Sequence, residues 1–211
     1  MDLYFSPLAC SMATRIALYE VGAQAGFIQV DLKAKRAEDG SDFLAVNGMG
    51  QVPVLRTDTG ELLTENPVVL QYVADRLPGS GLAPQGGMER YRLQQWLNFT
   101  TSELHKAVFV PLLDPKSSEG AKAYAREKAP QRLSYLAGHL EGRAFVLDRF
   151  TIVDAYLVTV LNWGRYSGLD LAEWPAVHAY YHRMLERPSV AKAVSEEIAL
   201  YKAEQARRSA A

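Results

Sequence analysis

Cysteine and long apolar runs are both scarce in this 211-residue chain. Its only cysteine is Cys10, which excludes an intramolecular disulfide and a cysteine-rich metal site. No stretch approaches the ~18 consecutive apolar residues of a membrane-spanning helix, and the N-terminus has no apolar signal-peptide run. We therefore expect a protein of the reducing cytoplasm that binds neither a metal nor a membrane.

An excess of charge of either sign is also missing. Lys and Arg total 23 and Asp and Glu total 24, so the net charge is −1 and no basic region indicates nucleic-acid binding. The chain is 48% hydrophobic, and its length suits one large domain or two small ones. We expect a small-molecule or protein partner.

The first 78 residues alternate between strand and helix patterns. The predicted elements are a strand at 2–5, a helix at 11–21, a strand at 27–32, a hairpin of 54–56 with 61–64, and a helix at 67–77. A short β-α-β unit favours a parallel strand pair with a right-handed crossover. The order β-α-β followed by β-β-α therefore predicts an α/β domain, residues 1–78, with helices packed on one compact sheet.

The strand signal stops at a Pro- and Gly-rich linker, residues 79–87. From residue 88, apolar side chains such as Leu93 and Trp96 recur at helical spacing, which predicts an all-helical domain over 88–205. Pro130 is expected to break or kink a long helix there, because it removes a hydrogen bond and its ring clashes with the preceding turn. Residues 206–211 are predicted to be a frayed tail.

Cys10 is a candidate reactive thiol. It lies where a strand turns through Pro7 into a helix, and the N–H groups and positive dipole of a helix start stabilise a thiolate. The alternative is a buried, inert cysteine, which is the commoner role of a lone cysteine.

Val52-Pro53 is the first of two later segments that suit a thiol site. With a cis bond, it would turn the Val52 backbone outward to pair with an extended peptide. Only ~5–6% of X-Pro bonds are cis, however, so an ordinary loop proline explains these residues as well.

Glu65-Asn66-Pro67 is the second such segment, and it opens a predicted helix. A carboxylate, an amide and backbone N–H groups at this point can hold a ligand that carries both an ammonium and a carboxylate. Helix capping by Asn66 explains the same residues equally well.

Two patterns in the helical part also stand out. The spacing places Asn98, Ser102 and His105 on one helix face, next to Lys106. This polar and partly titratable face is either part of a binding site or a solvated surface with a Glu103–Lys106 ion pair. The run Thr151 to Asp154 has the form of a capping box before an apolar helix, and we interpret it as structural.

Taken in order, these segments resemble the bacterial glutathione S-transferases of the beta class. The resemblance covers nearly the whole chain and is carried by Cys10-Ser11, Gly50 to Leu55, Leu63 to Asn66, Gln71 to Asp75, Trp96 to Phe99, Ser102 to Lys106, and Thr151 to Leu157. It implies a thioredoxin-like N-terminal domain, an all-helical C-terminal domain with an electrophile pocket, and a homodimer that takes glutathione as cosubstrate. The family often has Tyr where this chain has Phe5, and a smaller residue where it has Asn66.

Carried over by position, the resemblance also implies residue roles. Cys10 faces the glutathione sulfur, His105 lies near the thiol, Pro53 is cis, and the Val52 backbone pairs with the cysteinyl part. The remaining expected contacts are Glu65 and Asn66 at the γ-glutamyl end, Lys35 near the glycyl part, Lys106 on the same wall, and Asn98 and Glu103, which can reach the glutathione of the partner subunit.

We therefore expect a detoxification enzyme that conjugates glutathione to hydrophobic electrophiles and exchanges disulfides through a mixed disulfide of Cys10. The alternatives are a non-catalytic binding or regulatory module of the same fold, and a specialised glutathione-dependent dehalogenase or isomerase. The presence of the whole polar set favours an active site. Six apolar or aromatic residues are expected either to line the electrophile pocket or to pack between the domains: Leu8, Phe109, Val110, Leu112, Trp163 and Tyr166.

Overall fold

Residues 1–210 are described by the structure, a computed structural model. They form two compact units. The first comprises Met1–Ser80 together with the chain from Arg187 onward, and the second comprises Gly81–Glu186. The division after Ser80 falls inside the segment that the sequence marks as a linker.

The first unit is built on a five-stranded mixed sheet. Its strands are β1 (Asp2–Phe5), β2 (Gly26–Asp31), β3 (Arg36–Ala37), β4 (Val54–Arg56) and β5 (Leu62–Thr64), in the order β3-β2-β1-β4-β5. β1 and β2 are parallel, and all other neighbours are antiparallel. The expected β-α-β and β-β-α order is confirmed. β3 was not predicted, because two residues in a polar loop carry no apolar alternation.

Nine α-helices accompany the sheet within residues 1–210. They are α1 (Met12–Glu20), α2 (Asn66–Arg76), α3 (Gly87–Phe99), α4 (Val110–Leu113), α5 (Glu119–Leu140), α6 (Ile152–Leu161), α7 (Gly164–Ser167), α8 (Pro175–Leu185) and α9 (Pro188–Ala210). A π-helical segment, Thr100–Phe109, joins α3 to α4. The second unit is therefore helical, as its apolar periodicity indicates.

The C-terminal helix α9 departs from the predicted division, which assigned residues up to 205 to the helical domain. α9 packs on α1: the Arg15 guanidinium pairs with Glu197 at 2.9 Å, and the Ser189 hydroxyl donates to Glu20 at 2.6 Å. Helical periodicity reveals a helix but not the unit on which it packs. The predicted tail differs too, because α9 continues through residue 210; Ala211 lies outside the described residues.

Pro130 does not interrupt α5, contrary to the expected break. The helix is assigned continuously from Glu119 to Leu140. Buried side chains on both sides of the proline, including Ala125, Ala129 and Leu133, pack into the core of the second unit. This packing holds both halves of the helix in place and offsets the one hydrogen bond that proline removes.

The predicted capping box at the start of α6 is present. The Thr151 hydroxyl accepts from the Val153 N–H at 3.3 Å, and the Asp154 carboxylate accepts from the Thr151 N–H at 2.8 Å. Asp154 is fully buried and also accepts from the Val146 N–H and the Tyr180 hydroxyl, both at 2.9 Å. Burial raises the pKa of Asp154 to about 6.

Among residues 1–210, no helix combines the length and the apolar character needed to cross a lipid bilayer.

Candidate active site

Cys10 lies in the turn that connects β1 to α1, two residues before the helix begins. Ser6 and Ser11 close this turn, since the Ser11 hydroxyl donates to the Ser6 carbonyl and accepts from the Ser6 N–H, each at 3.3 Å. The Cys10 side chain is half-buried. It is therefore partly accessible, unlike the sealed, inert cysteine that was the alternative prediction.

The Cys10 thiol donates a hydrogen bond to the Val52 carbonyl at 3.2 Å. A bond of this kind favours the neutral thiol, whereas the adjacent start of α1 favours the thiolate. The contact joins the first turn of the unit to the entrance of β4, so two segments forty residues apart meet at one sulfur atom.

Val52 and Pro53 form the strand entrance beside this thiol. The peptide bond between them is cis, which confirms the expectation drawn from the resemblance. Both residues are buried, and the preceding Gly50 adopts φ +59°. Lys35 has a positive φ of 57° and donates from Nζ to the Gly50 carbonyl at 2.8 Å, which fixes the ammonium against the same loop.

Asn66 does not cap α2, contrary to the capping interpretation. Glu65 occupies the cap position at φ +65° without a side-chain cap bond, and Asn66 is the first helical residue. The Asn66 amide instead donates from Nδ2 to the Cys10 carbonyl at 2.9 Å. Within residues 1–210, its buried Oδ1 has no hydrogen-bond partner, although the residue is only 4% exposed.

The structure does not keep Asn98, Ser102 and His105 on one shared helix face. Asn98 and Ser102 are exposed, whereas His105 is buried. The π-helical segment explains the difference, because i→i+5 bonding adds residues to each turn and rotates later side chains away from an α-helical face. The prediction from sequence spacing assumed a regular α-helix through these residues.

His105 is held by aromatic neighbours of the second unit. Its Nδ1 lies 2.7 Å from the Tyr156 hydroxyl, and its ring meets Trp163 edge-on with a centroid distance of 4.9 Å. Burial, with a smaller effect of the Lys106 charge, lowers the pKa of His105 to about 3. In the tautomer in which Nδ1 accepts the hydroxyl proton, Nε2 carries the ring proton, so the neutral imidazole can donate a hydrogen bond there.

Three other predicted binding residues lie on the same helical segments. Asn98 donates to the Gln94 carbonyl at 2.9 Å, and Lys106 is exposed. Glu103 pairs with Arg132 at 2.8 Å rather than with Lys106, so the predicted ion pair has a different cation. These three residues and His105 belong to the second unit.

Sequence reasoning missed a buried ion pair behind the Cys10 turn. The Glu197 carboxylate accepts from the Leu8 N–H at 2.7 Å and from Arg15 Nε at 2.9 Å, and Leu8 has φ +61°. Burial raises the pKa of Glu197 to about 7, against the opposing charge of Arg15. No short sequence motif predicts this contact, because Glu197 is more than 180 positions from both Leu8 and Arg15.

In the first unit, Val52 and Asn66 thus each form a hydrogen bond with Cys10, with Glu65 next to Asn66 and Lys35 on the neighbouring loop. The arrangement combines a nucleophile, an exposed carboxylate, an ammonium and a strand entrance. In the part of the chain that the structure describes, no group of three or more His, Cys, Asp or Glu side chains is suited to a metal ion.

A thioredoxin-like sheet with a thiol at the start of its first helix, together with a helical unit, defines the glutathione transferase fold class. Comparison with known proteins agrees. The N-terminal domain model of glutathione S-transferases matches residues 2–75, and the C-terminal domain model matches residues 100–188. The glutathione S-transferase GstA of Escherichia coli O157:H7 is 42% identical over 199 residues, which cover 93% of this chain and 98% of GstA.

Solved structures give the same result. A sphingomonad glutathione S-transferase complexed with glutathione has a TM-score of 0.89 and 47% identity, with 93% of this chain and 98% of that chain covered. The beta-class enzyme of Sphingomonas chungbukensis has a TM-score of 0.89 and 44% identity at the same coverage. The chain therefore belongs to the glutathione S-transferase family and matches its bacterial beta class. It is a glutathione transferase with glutathione as its cosubstrate.

Proposed function

We propose that this transferase conjugates glutathione to hydrophobic electrophiles and also catalyses thiol-disulfide exchange through Cys10. The observation that carries the proposal is that Val52 and Asn66 both hydrogen-bond to Cys10 where β1 ends and β4 begins, with Glu65 adjacent. A tripeptide with one ammonium, two carboxylates and a thiol needs an acceptor, anion contacts, a backbone partner and a sulfur neighbour. This set supplies a candidate for each.

Binding begins with the backbone of glutathione against Val52, in the manner of an added strand. The γ-glutamyl end lies at the start of α2, where Glu65 attracts the ammonium and the helix N–H groups attract the carboxylate. Asn66 lies beside this group and holds the Cys10 carbonyl through Nδ2 at 2.9 Å, which joins the start of α2 to the thiol turn. Lys35 attracts the glycyl carboxylate.

Conjugation uses the glutathione thiolate as the nucleophile. Its sulfur forms a bond to an electrophilic carbon, and the leaving group departs or an adjacent carbon takes up a proton. The proposal takes from the family resemblance that His105 lies near the thiol. Because burial keeps its imidazole neutral at physiological pH, its role here is to donate a hydrogen bond to the thiolate rather than to take its proton. The electrophile is hydrophobic in this proposal, and the exposed ring of Tyr166, one of the expected wall residues, supports it.

Exchange uses Cys10 itself. The Cys10 thiolate attacks the glutathione sulfur of a mixed disulfide, which forms a Cys10–glutathione disulfide and releases the other thiol as a thiolate. A second glutathione thiolate then attacks that disulfide, releases oxidised glutathione and regenerates Cys10. No other redox partner is required, and the half-buried position of Cys10 is compatible with both attacks.

The proposal also includes that the protein is a homodimer and acts in the cytoplasm. Large apolar or aromatic side chains are exposed at 54–67% on α3 and α5 of the second unit: Met88, Tyr91, Tyr124 and Tyr135. Large apolar side chains exposed on two helices are compatible with a protein interface. A second copy of the chain is the partner we propose, with Asn98 and Glu103 reaching toward its glutathione. Sedimentation of the purified protein tests this directly, since a monomer at micromolar concentration contradicts it.

The test of the binding site is a calorimetric titration with S-methylglutathione, which lacks a free thiol. We expect Glu65→Gln to weaken binding about tenfold, because the carboxylate partner of the ammonium is lost. Glu61→Gln, an exposed glutamate four residues earlier, is the matched control and should bind like the wild type. Equal affinities for all three proteins would refute the assignment of the γ-glutamyl site.

A panel of electrophiles assayed with glutathione separates this proposal from the alternatives. Conjugation of several hydrophobic aromatic electrophiles supports a general transferase. Turnover confined to a haloalkane or to a cis-trans isomerisation would indicate a specialised enzyme, and binding without any turnover would indicate a non-catalytic module.

A further inference from the structure

His178 and His182 lie one turn apart on α8. Residues at this spacing occupy the same face of an α-helix. Their Nε2 atoms are 3.0 Å apart, and their ring centroids are 4.3 Å apart. Both side chains are exposed, and within residues 1–210 neither has another hydrogen bond or an ion pair. Two imidazole nitrogens therefore face each other at the surface, where a dissolved ion can reach them.

We propose that His178 and His182 bind a divalent transition metal ion, Cu²⁺ or Ni²⁺, as a bidentate pair whose remaining coordination positions are taken by water. The scarcity of cysteine excludes a cysteine-rich site but not a site of imidazoles, which are common ligands of these ions. The site does not depend on the proposed function, because it lies on one helix and uses no residue of the transferase mechanism.

The separation of the two nitrogens favours a nearly right-angled arrangement at the metal. With metal–nitrogen bonds of about 2.0–2.1 Å, a separation of 3.0 Å gives an angle of about 95° at the metal. A tetrahedral site would need a separation of about 3.3–3.4 Å. Angles of about 90° belong to square-planar and octahedral sites, which suit Cu²⁺ and Ni²⁺ better than Zn²⁺.

The hydrogen bond between the two rings gives way to the metal without loss of a proton. In the metal-free pair of neutral rings, one Nε2 donates its proton to the other Nε2. When the metal binds, the donor ring carries that proton on Nδ1 instead, so both Nε2 lone pairs are available to the ion.

The helix presents the pair on a fixed backbone. The neighbouring Tyr180 and Tyr181 are buried, and their hydroxyls donate to Asp154 and Asn162, each at 2.9 Å. These contacts anchor the turn of α8 that carries the histidines. Metal binding therefore orders only two side chains, which keeps its entropic cost small.

The charges around the pair favour a cation. His182 belongs to the last turn of α8, where unpaired carbonyl groups give the helix end a partial negative charge. The exposed Glu186 follows at the C-cap. Arg183 is the adjacent cation, and its guanidinium donates to the carbonyls of Arg143 and Ala144 at 2.9 Å, which holds it against that turn.

The experiment titrates Cu²⁺, Ni²⁺ and Zn²⁺ into four proteins and measures the heat of binding. Every protein carries Cys10→Ala and the buffer contains no glutathione, because either thiol would compete for the metal. The four are this parent, His178→Gln, His182→Gln and the control His139→Gln, which also removes one histidine but leaves the pair intact. Circular dichroism checks that each protein is folded, and electron paramagnetic resonance counts the nitrogens bound to Cu²⁺.

We expect the parent to bind one Cu²⁺ per chain through two imidazole nitrogens, and to bind Cu²⁺ more tightly than Ni²⁺ or Zn²⁺. Each pair variant should bind at least about tenfold more weakly, since the loss of even an outer-shell partner costs about ten- to a hundredfold. Its resonance should report one nitrogen fewer. His139→Gln should bind like the parent.

Equal Cu²⁺ affinity in the parent and both pair variants would overturn the site. An equal loss of affinity in His139→Gln would overturn it too, because the histidines would then act without pairing. Tighter binding of Zn²⁺ than of Cu²⁺ would contradict the right-angled geometry on which the choice of metal rests.

Discussion

The thiol of Cys10 donates to the carbonyl of Val52 at 3.2 Å, so the nucleophile contacts the backbone segment against which the cosubstrate is proposed to lie. A peptide bound to that edge should cover the sulfur. We predict that saturating S-methylglutathione slows the reaction of Cys10 with a bulky aromatic disulfide at least fivefold, as measured by the release of the coloured thiol. Undiminished reactivity would place the ligand elsewhere.

His105 should act as a neutral donor, and its pH dependence tests this role. Its pKa is lowered to about 3 by burial and by Lys106, so the ring carries no charge at any pH above about 4. We predict that His105→Gln lowers kcat/KM for conjugation about tenfold without removing an ionisation between about pH 5 and 8. Disappearance of an ionisation near the usual histidine pKa would show that His105 titrates during catalysis.

Tyr156 should position His105 rather than contact the substrate. Its hydroxyl lies 2.7 Å from Nδ1 and is buried. We predict that Tyr156→Phe reduces kcat for conjugation by a few-fold with little change in the KM for glutathione, because the imidazole loses its fixed orientation. In the His105→Gln background the same substitution should have almost no further effect. Full additivity would contradict the positioning role.

Asp154 should be the largest contributor to stability among these polar residues. Its carboxylate satisfies two backbone N–H groups and two hydroxyls in a fully buried place. We predict that Asp154→Ala lowers the free energy of unfolding by about 3 kcal/mol or more, since several buried donors lose their acceptor. Thr151→Ala, which removes the cap bond from the Val153 N–H and the hydroxyl bond to Asp154, should cost about 1 kcal/mol. Urea denaturation measures both, and equal losses would contradict this ranking.

Glu197 should make stability depend on pH. Its pKa is raised from 4.5 to about 7, so the folded protein binds a proton that the unfolded chain has already released between these values. The stabilisation is complete below pH 4.5 and is lost as pH rises through about 7. We predict that the free energy of unfolding of the wild type decreases relative to that of Glu197→Gln from about pH 5 to pH 7.5. An increase of the wild type relative to the variant over this range would refute the linkage.

Rules that use only a few neighbouring residues predicted the elements whose signals lie within a short stretch of the chain. Strand β1, the β4–β5 hairpin and the capping box of α6 were readable because alternation, turn residues and cap spacing are contained in a few positions. The packing of α9 on α1 was not readable, since the contact of Arg15 with Glu197 joins distant segments. The π-helical segment was missed because it contains no residue that forbids a regular helix.

The candidate site shows the same limit. Cys10 and the Val52-Pro53 segment stood out by residue type, and the structure brings them together. Asn66 was singled out as a possible cap, but its bond to the Cys10 carbonyl depends on the tertiary arrangement of α2 and the β1–α1 turn. Tyr156 lies in one of the segments that carry the family resemblance, but no role was predicted for it, because no rule of sequence spacing connects it to His105.

The most direct measurement of the central claim compares two activities of Cys10→Ala with those of the wild type. The account predicts that the variant loses reduction of glutathione mixed disulfides, and the mass increase of a Cys10–glutathione adduct, while it retains much of the conjugation to an aromatic electrophile. Equal loss of both activities, or exchange that persists without the thiol, would contradict it.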